Sequence, residues 1–419
     1  MATLVIGCGV KLISSLQEQM PGETMVVIEH PQVIEQRGLR EKAKSLPTVE
    51  ALVPCDYIGP FEPRALIDSL PAGTVIERVL PAIDEMTTEA SARIAAELGL
   101  PGAGVHAAEI FRDKLRLREV AHAAGIPNPR WREVHDLAGL ERAAGELAGD
   151  GPGGGGLVLK PTGRSGSQGV VLLDPGDDLA EAWRHTTTAE GRVRFDPPPF
   201  TRYLVEERLH GSEVSVECLV AGGKVVFGSV TDKRVLPGRH PVEIGHVVPA
   251  PVGAAVRKDL LDGIQTLVDA SGYEFGILHC EWMVTAAGPV LIECAGRLAG
   301  DRITDLVRIA YDFPLLGAYA SLMGRDGPVG AIPATPVRAA AVKFLTATSG
   351  VLDGVTGLDE ATAAPGVRAA TVTAAPGDRV AAPRASRDRI GHVMAVGDDA
   401  GQAWERVESA ARLIRVTVR

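Results

Sequence analysis

Aromatic side chains are scarce in this sequence. Phe, Trp and Tyr make up 4% of 419 residues, so its cores must be packed from Ala, Val, Leu and Ile. The five cysteines, at 8, 55, 218, 280 and 294, show neither paired spacing nor a CxxC. That argues against a disulfide scaffold or a zinc site and suits a reducing compartment. No apolar run reaches the length of a membrane span, and the N-terminus lacks the charged and apolar regions of a secretory signal. No basic tract offsets the net charge of -10, which speaks against a general nucleic-acid binder. The chain is therefore expected to be soluble and cytoplasmic, with neither nucleic acid nor membrane as a partner. Any phosphate site must then be a local gathering of Lys, Arg and backbone N–H groups. Familiar signatures are missing too. Gly7-Cys8-Gly9 does not complete a GxGxxG, no GK[ST] follows the glycines near 165, and no Ser/His/Asp or Cys/His arrangement is evident.

What is present is an alternation of strands and helices. Ala2–Ile6, Met25–Glu29, Ala51–Val53 and Val75–Val79 read as buried strands, with the glycines at 7 and 9 forming a tight turn after the first. An amphipathic helix over 85–98 stops at Gly99. These features predict a small parallel α/β domain over 1–105. A second, largely antiparallel α+β domain is expected over 106–325. It holds a helix at 111–124, strands at 130–134, 157–161, 170–173, 203–207, 213–220 and 224–230, and helices at 137–147, 178–190 and 255–271. The glycine run 150–156 reads as a flexible turn. Residues 242–249 follow a loop and read as irregular, since Pro249 and Pro251 rule out a regular helix. A further helix is expected over 303–323, and 326–419 reads as a small β-rich segment with one helix at 400–412.

The chemistry concentrates in a few stretches. In Leu278–Asp301, two apolar runs flank the turn Ala286-Ala287-Gly288-Pro289, giving a hairpin with Glu281 on one strand, Glu293 on the other and Arg297 beyond. Carboxylates on neighbouring strands can share a hard cation such as Mg²⁺, and a guanidinium beside them can grip a phosphate. Two solvated edge acids are the plain alternative. Lys160 closes an apolar strand just before Thr162-Gly163-Arg164-Ser165-Gly166-Ser167-Gln168-Gly169. Such a loop can lay N–H groups against phosphates, with the lysine as a point charge, or it is a mobile hairpin beside an end-of-strand lysine. Lys114 could add a second cation or sit on a helix surface. The segment from Tyr203 through Glu206, Glu207 and Leu209 to Glu213 can present main-chain groups to a purine while an acid holds a ribose hydroxyl, or it is an acidic turn in water. Glu243 and His246, three apart, lack the further His or Cys of a metal site and read as a substrate-contacting loop or, more simply, a satisfied loop histidine.

Taken in order, Lys114, Lys160 with its Gly/Ser loop, the VEERLHGSE segment, Glu281, and Glu293 with Arg297 resemble the ATP-grasp superfamily over roughly 110–325. The EIGH tetrapeptide and the spacing of the acids and arginine resemble the bacilysin-type L-amino acid ligases within it. The resemblance implies an α/β and α+β chain of the ATP-grasp fold. Its parts would be a Rossmann-like N-terminal domain over 1–105, a two-lobed ATP-binding domain over 106–325 with a mobile lobe near 125–205, and a small β-rich C-terminal domain over 326–419. It also implies ATP with Mg²⁺, or Mn²⁺ in its place. Lys114 and Lys160 would hold the α- and β-phosphates under a loop contributing Gly163, Ser165, Gly166, Ser167 and Gly169. Glu206, Glu207 and Leu209 would meet adenine, Glu213 the ribose, and Glu281 and Glu293 the metal. Glu243, His246 and Arg297 would line the reacting pocket, with Glu85 and Gly300 as further substrate contacts.

The implied activity is that of an ATP-dependent carboxylate–amine ligase. A carboxylate, activated as an acyl phosphate, would be joined to an amine with release of ADP and phosphate, the substrates being small molecules of the amino-acid class. A homodimer is the default assembly. Ala295 departs from the superfamily, which carries Asn two residues after the second acid, and so leaves the number of metal ions open. Two other readings stand beside this one. One is activation of bicarbonate or formate; the other is a nucleotide-binding protein impaired in turnover.

Overall fold

The computed structural model describes residues 1–147, 155–189, 193–196, 199, 201–238, 240–325 and 330–419. Most of the glycine run expected at 150–156 lies outside these residues. The four N-terminal strands, Ala2–Ile6, Thr24–Glu29, Val49–Pro54 and Ile76–Pro81, form a parallel sheet in the order third, second, first, fourth. Ala2–Ile6 is buried throughout, as a parallel strand covered on both faces should be. The strand order reverses between the first and fourth strands, where α/β sheets leave a crevice at the carboxyl ends. Gly7 makes the tight turn there at φ +90, and a Cβ on it would stand 2.8 Å from Thr87 Cγ2 and 2.9 Å from Ala82 Cβ.

The helix expected over 111–124 is two helices, Val105–Arg112 and Lys114–Ala123. Asp113 separates them in an extended conformation, and its carboxylate caps the second by accepting from the Leu115 N–H at 2.9 Å. The break puts Lys114 on the first turn of a helix, buried, rather than on a helix surface. Beyond it, Trp131–Val134, Tyr203–Glu207, Leu157–Pro161 and Val171–Leu173 make an antiparallel sheet in that spatial order. Leu140, Ala143 and Ala182 of its two helices pack against that sheet's Leu157 and Leu159.

The central element is an eight-stranded antiparallel sheet. Across it run Gly288–Ala295, Gly276–Thr285, Ser212–Ala221, Lys224–Val235, Glu243–Val248, Ala339–Leu345, Gly391–Gly397 and Val367–Val372. The hairpin around Gly288 is therefore its edge. Residues 242–249, expected to be irregular, supply a full strand. Its neighbours are Lys224–Val235 on one side and Ala339–Leu345 on the other, the latter about a hundred residues away in sequence. The β-rich C-terminal segment thus extends the central sheet, and its remaining strands, Gly350–Thr356, Arg379–Val380 and Arg415–Val418, form a separate small sheet. The helix expected over 303–323 is broken into Ile303–Tyr311 and Leu315–Leu322. Asp312 ends the first in the left-handed region at φ +50, and Pro314, which has no N–H to give, precedes the second.

Leu12 and Leu16 of the first helix share one core with Leu306 and Leu316 and with Leu219 and Ile277 of the central sheet. The parallel sheet is therefore anchored to the central one. Gly245 shows how closely the C-terminal helix Ala400–Leu413 presses on that sheet: a Cβ there would lie 2.5 Å from the Trp404 ring and 2.6 Å from the Val342 carbonyl oxygen. Gly245→Ala is expected to cost about 1–3 kcal/mol through overpacking. Urea denaturation checks this, and an unchanged midpoint would show that the helix yields without strain.

Candidate active site

Strand periodicity builds the site. In Ser212–Ala221, Val214, Val216 and Cys218 point into a core with Leu260 and Ile264, and in Gly276–Thr285, Leu278, Cys280 and Trp282 do the same. Successive side chains alternate between faces, so Glu213, Ser215 and Glu217 share the opposite face with His279 and Glu281. Register aligns them: Glu217 pairs with His279, Ser215 with Glu281, and Glu281 with Glu293. The two acids expected to meet across the hairpin do meet.

Lys233 lies at the centre of this face. Its Nζ is 2.5 Å from Glu213 Oε1, 2.8 Å from Glu281 Oε1 and 3.4 Å from Glu243 Oε1, and the side chain is buried. Burial pulls its pKa down, but Glu213, Glu281 and Glu243 outweigh that and hold the ammonium well above the ordinary lysine range. Lys114 Nζ reaches Glu293 Oε1 at 2.8 Å and the Arg164 carbonyl at 2.9 Å, tying the Gly/Ser loop to the hairpin. Burial disfavours its charge as well, yet Glu293 and then Glu85 raise its pKa overall. Lys160 Nζ and Arg118 Nε each lie 2.5 Å from the Glu206 carboxylate, on opposite oxygens. Arg118 also donates to the carbonyls of Leu291 (3.2 Å) and Ile292 (2.5 Å), on the strand that carries Glu293.

Two cavities meet here. One, of 760 Å³, brings together Lys114, Lys160, Glu207, Leu209, Glu213 and Glu293. The other, of 1360 Å³, holds Glu85, His246, Gly300 and Asp301 and extends to the crevice of the parallel sheet. Lys233, Glu243, Glu281 and Arg297 line both. Arg297 donates from Nε to Glu85 Oε1 at 2.9 Å and also from Nη2 to that oxygen, so Glu85 orients the guanidinium at the junction. His246 is buried, and among the described residues neither ring nitrogen has a hydrogen-bond partner; its Nε2 is 3.8 Å from Asp301 Oδ2. Both guanidinium ends of Arg389 hold Asp301.

The loop residues divide. Ser165 and Gly166 line both cavities, Ser167 the smaller and Gly163 the larger. Ser167 Oγ donates to the Pro241 carbonyl at 3.2 Å. Gly169 lines neither; a Cβ there would stand 3.1 Å from the Thr186 carbonyl, which marks a packing role. The Glu207 carboxylate accepts from Arg130 N and Nε at 2.9 and 2.8 Å. With Glu206 held by Lys160 and Arg118, and Glu207 by Arg130, neither carboxylate is free, and the segment lines the smaller cavity with Arg208, Leu209 and His210 beside them. Lys233, His279, Arg118 and Arg389 escaped the sequence reading. Of these only His279 had a signal, in the alternation of Leu278-His279-Cys280-Glu281.

The donor set suits a hard divalent ion in part. Among the described residues no group of three or more His, Cys, Asp or Glu side chains gathers as a metal nest. Glu281 and Glu293 are nevertheless opposed carboxylates, which leaves the rest of an oxygen shell to phosphates and water.

Residues 155–305 match the ATP-grasp domain family, and residues 343–419 match the L-amino acid ligase C-terminal domain 2. An uncharacterised protein of Sinorhizobium fredii (strain NBRC 101917 / NGR234) is 30% identical over 77% of this chain and 64% of its own length. The alanine–anticapsin ligase of Bacillus subtilis (strain 168) is 26% identical over 52% of this chain and 48% of its own. The chain thus spans less than two thirds of the length of these curated relatives. Among solved structures, an L-amino acid ligase from Bacillus licheniformis superposes with a TM-score of 0.78 at 19% identity, covering 100% of this chain and 99% of that one. A phosphoribosylglycinamide synthetase from Anaerococcus prevotii gives 0.72 at 17%, covering 100% and 99%. Both are likenesses of fold.

If the buried Lys233 is what holds Glu213, Glu243 and Glu281 together, Lys233→Met leaves three half-buried carboxylates uncompensated. The expected loss is about 3–5 kcal/mol at neutral pH. Part of it should return on acidification, as Glu213, whose carboxyl burial already pushes up, takes a proton. Urea denaturation across pH checks this; stability equal to the parent's would contradict it.

Proposed function

We propose, for a chain that carries an ATP-grasp domain and an L-amino acid ligase C-terminal domain, that it is an ATP-dependent carboxylate–amine ligase acting on amino acids. The observation that carries this is the meeting of two cavities at Lys233, Glu281 and Arg297. One cavity has the cations and main-chain edges for a nucleoside triphosphate, the other the mixed charges for amino acids.

In this reading Lys114 and Lys160 hold the phosphate chain, the loop around Ser165 covers it, and Glu281 with Glu293 would hold Mg²⁺. Bound there, a divalent ion supplies charge neutralisation on the phosphate oxygens. The substrate carboxylate lies at the junction, where Lys233 and Arg297 face the charge that develops as its oxygen attacks the γ-phosphoryl group and ADP leaves. Fixed cations act strongly in such a buried site because they need no reorganisation at the moment of transfer. Glu243 and the buried His246 sit beside that junction, placed to receive the α-ammonium of the acid substrate. His246, whose Nδ1 has no hydrogen-bond partner among the described residues, is also placed to take the proton that the incoming amine loses as it displaces phosphate from the acyl carbon. Enclosing the acyl phosphate matters, because open water would hydrolyse it.

Ala295, 2% exposed, brings only a methyl group to the metal row, which favours a second reading of a protein that binds nucleotide without turnover. One experiment separates the two. The chain is incubated with ATP, Mg²⁺ and a matrix of amino-acid pairs, and phosphate release and product mass are recorded. The ligase reading expects phosphate release that depends on the amine, a product one water lighter than its two substrates, and loss of both in a folded Glu293→Ala variant. ATP turnover satisfied by bicarbonate or formate alone, or no turnover with any pair, would overturn it.

A further inference from the structure

His279 has no part in the chemistry above, yet it stands in the row between two acids. Its Nδ1 lies 2.9 Å from Glu217 Oε1 and its Nε2 3.2 Å from Glu281 Oε1. The ring is buried and lines both cavities. Glu217, 1% exposed, is itself fixed, because Ser215 Oγ donates to its Oε1 at 2.8 Å and Thr231 Oγ1 to its Oε2 at 2.6 Å. These partners come from three adjacent strands and share one face, with His279 directly opposite Glu217 on one side and Ala295 on the other. Ala295 brings no polar atom to the row, so orientation on that side falls to the histidine.

The contacts on Glu281 are one-sided. Lys233 Nζ at 2.8 Å and His279 Nε2 at 3.2 Å both fall on Oε1. A carboxylate's terminal torsion is soft, and Lys233 holds it from a flexible stem shared with two other acids. The imidazole is rigid, and Glu217 fixes its plane. We propose that Glu217 and His279 form a positioning pair for Glu281, fixing its carboxylate so that Oε1 is held by the protein and Oε2 is offered to a divalent cation. Outer partners of this kind orient ligands and typically carry a factor of about 10–100 in metal affinity. The inference rests on the assignment of Glu281 to the metal and extends it to residues behind the ligand.

A role in packing alone would weaken everything equally, so the test separates metal-dependent from metal-free binding. ADP affinity of the full chain is measured by calorimetry with Mg²⁺ and again with EDTA, for the parent, His279→Ala, His279→Gln and Glu217→Gln. Expected is a weakening of about tenfold or more in the Mg²⁺-dependent affinity of His279→Ala, with the EDTA value unchanged within about twofold. His279→Gln, which keeps one donor, should recover part of the loss. If His279→Ala does not fold, as circular dichroism would show, the near-isosteric Glu217→Gln is read in the same way and should weaken the Mg²⁺-dependent value alone. Equal affinities across the folded variants, or equal weakening with and without Mg²⁺, would overturn the proposal. Its failure is distinct from failure of the ligase reading, which shows as a parent chain that binds Mg²⁺ and ADP normally yet joins no substrates.

Discussion

One buried ammonium holds the active face together. Lys233 meets Glu213, Glu243 and Glu281, each from a different strand of the central sheet. Three carboxylates so placed would repel one another, and burial makes the repulsion stronger. A single cation among them converts a liability into a fixed geometry, although a buried ion-pair cluster is weak evidence of net stability. What the cluster secures is placement. Two of the acids, Glu243 and Glu281, line both cavities together with Lys233, so in the proposed reaction a phosphoryl group passing between the cavities would meet a cation already in position.

A second set of contacts ties the smaller sheet to this face. Lys114, at the start of its helix, spans from the Arg164 carbonyl in the glycine loop to Glu293 on the edge hairpin. Arg118, one turn further along, links Glu206 and hence Lys160 to the backbone of the same hairpin. Of the cations proposed for the phosphate chain, Lys114 is thus positioned by Glu293 of the hairpin, and Lys160 by Glu206 on the neighbouring strand of its own sheet, with Arg118 joining that pair to the hairpin. Arg297 and Glu85 make a comparable link to the parallel sheet.

The parts of this arrangement that were legible in the sequence are the local ones. The opposed pair Glu281 and Glu293 is twelve residues apart around one turn, so period and turn chemistry suffice to bring the acids together. The same holds for the strand–glycine–helix opening at 1–20 and for Lys160 before its loop. What was not legible depended on distant partners. EIGH becomes a strand because Ala339–Leu345 pairs with it, and nothing within the tetrapeptide announces that neighbour. Glu206 and Glu207 read as free acids because Arg118, Lys160 and Arg130 arrive from other elements. Lys233 carries no local signal because it sits in the polar run Thr231-Asp232-Lys233-Arg234, and His279, between Leu278 and Cys280, looks solvated until the sheet's other face is known to be walled in. The break at Asp113 had a local signal, an N-cap acid before a helical run, that the reading of one continuous helix passed over.

In the proposed function, opposed carboxylates on the edge hairpin, Glu281 steadied by Lys233 and Glu293 by Lys114, receive a metal–nucleotide complex. A crystal structure of the chain with ADP and Mg²⁺ tests it most directly. The expected result is an ion held by Glu281 and Glu293 beside the diphosphate, with Lys160 on the phosphate chain and Lys233 still among its acids. An ion bound elsewhere, or Glu281 and Glu293 turned apart with the nucleotide outside the smaller cavity, would contradict it.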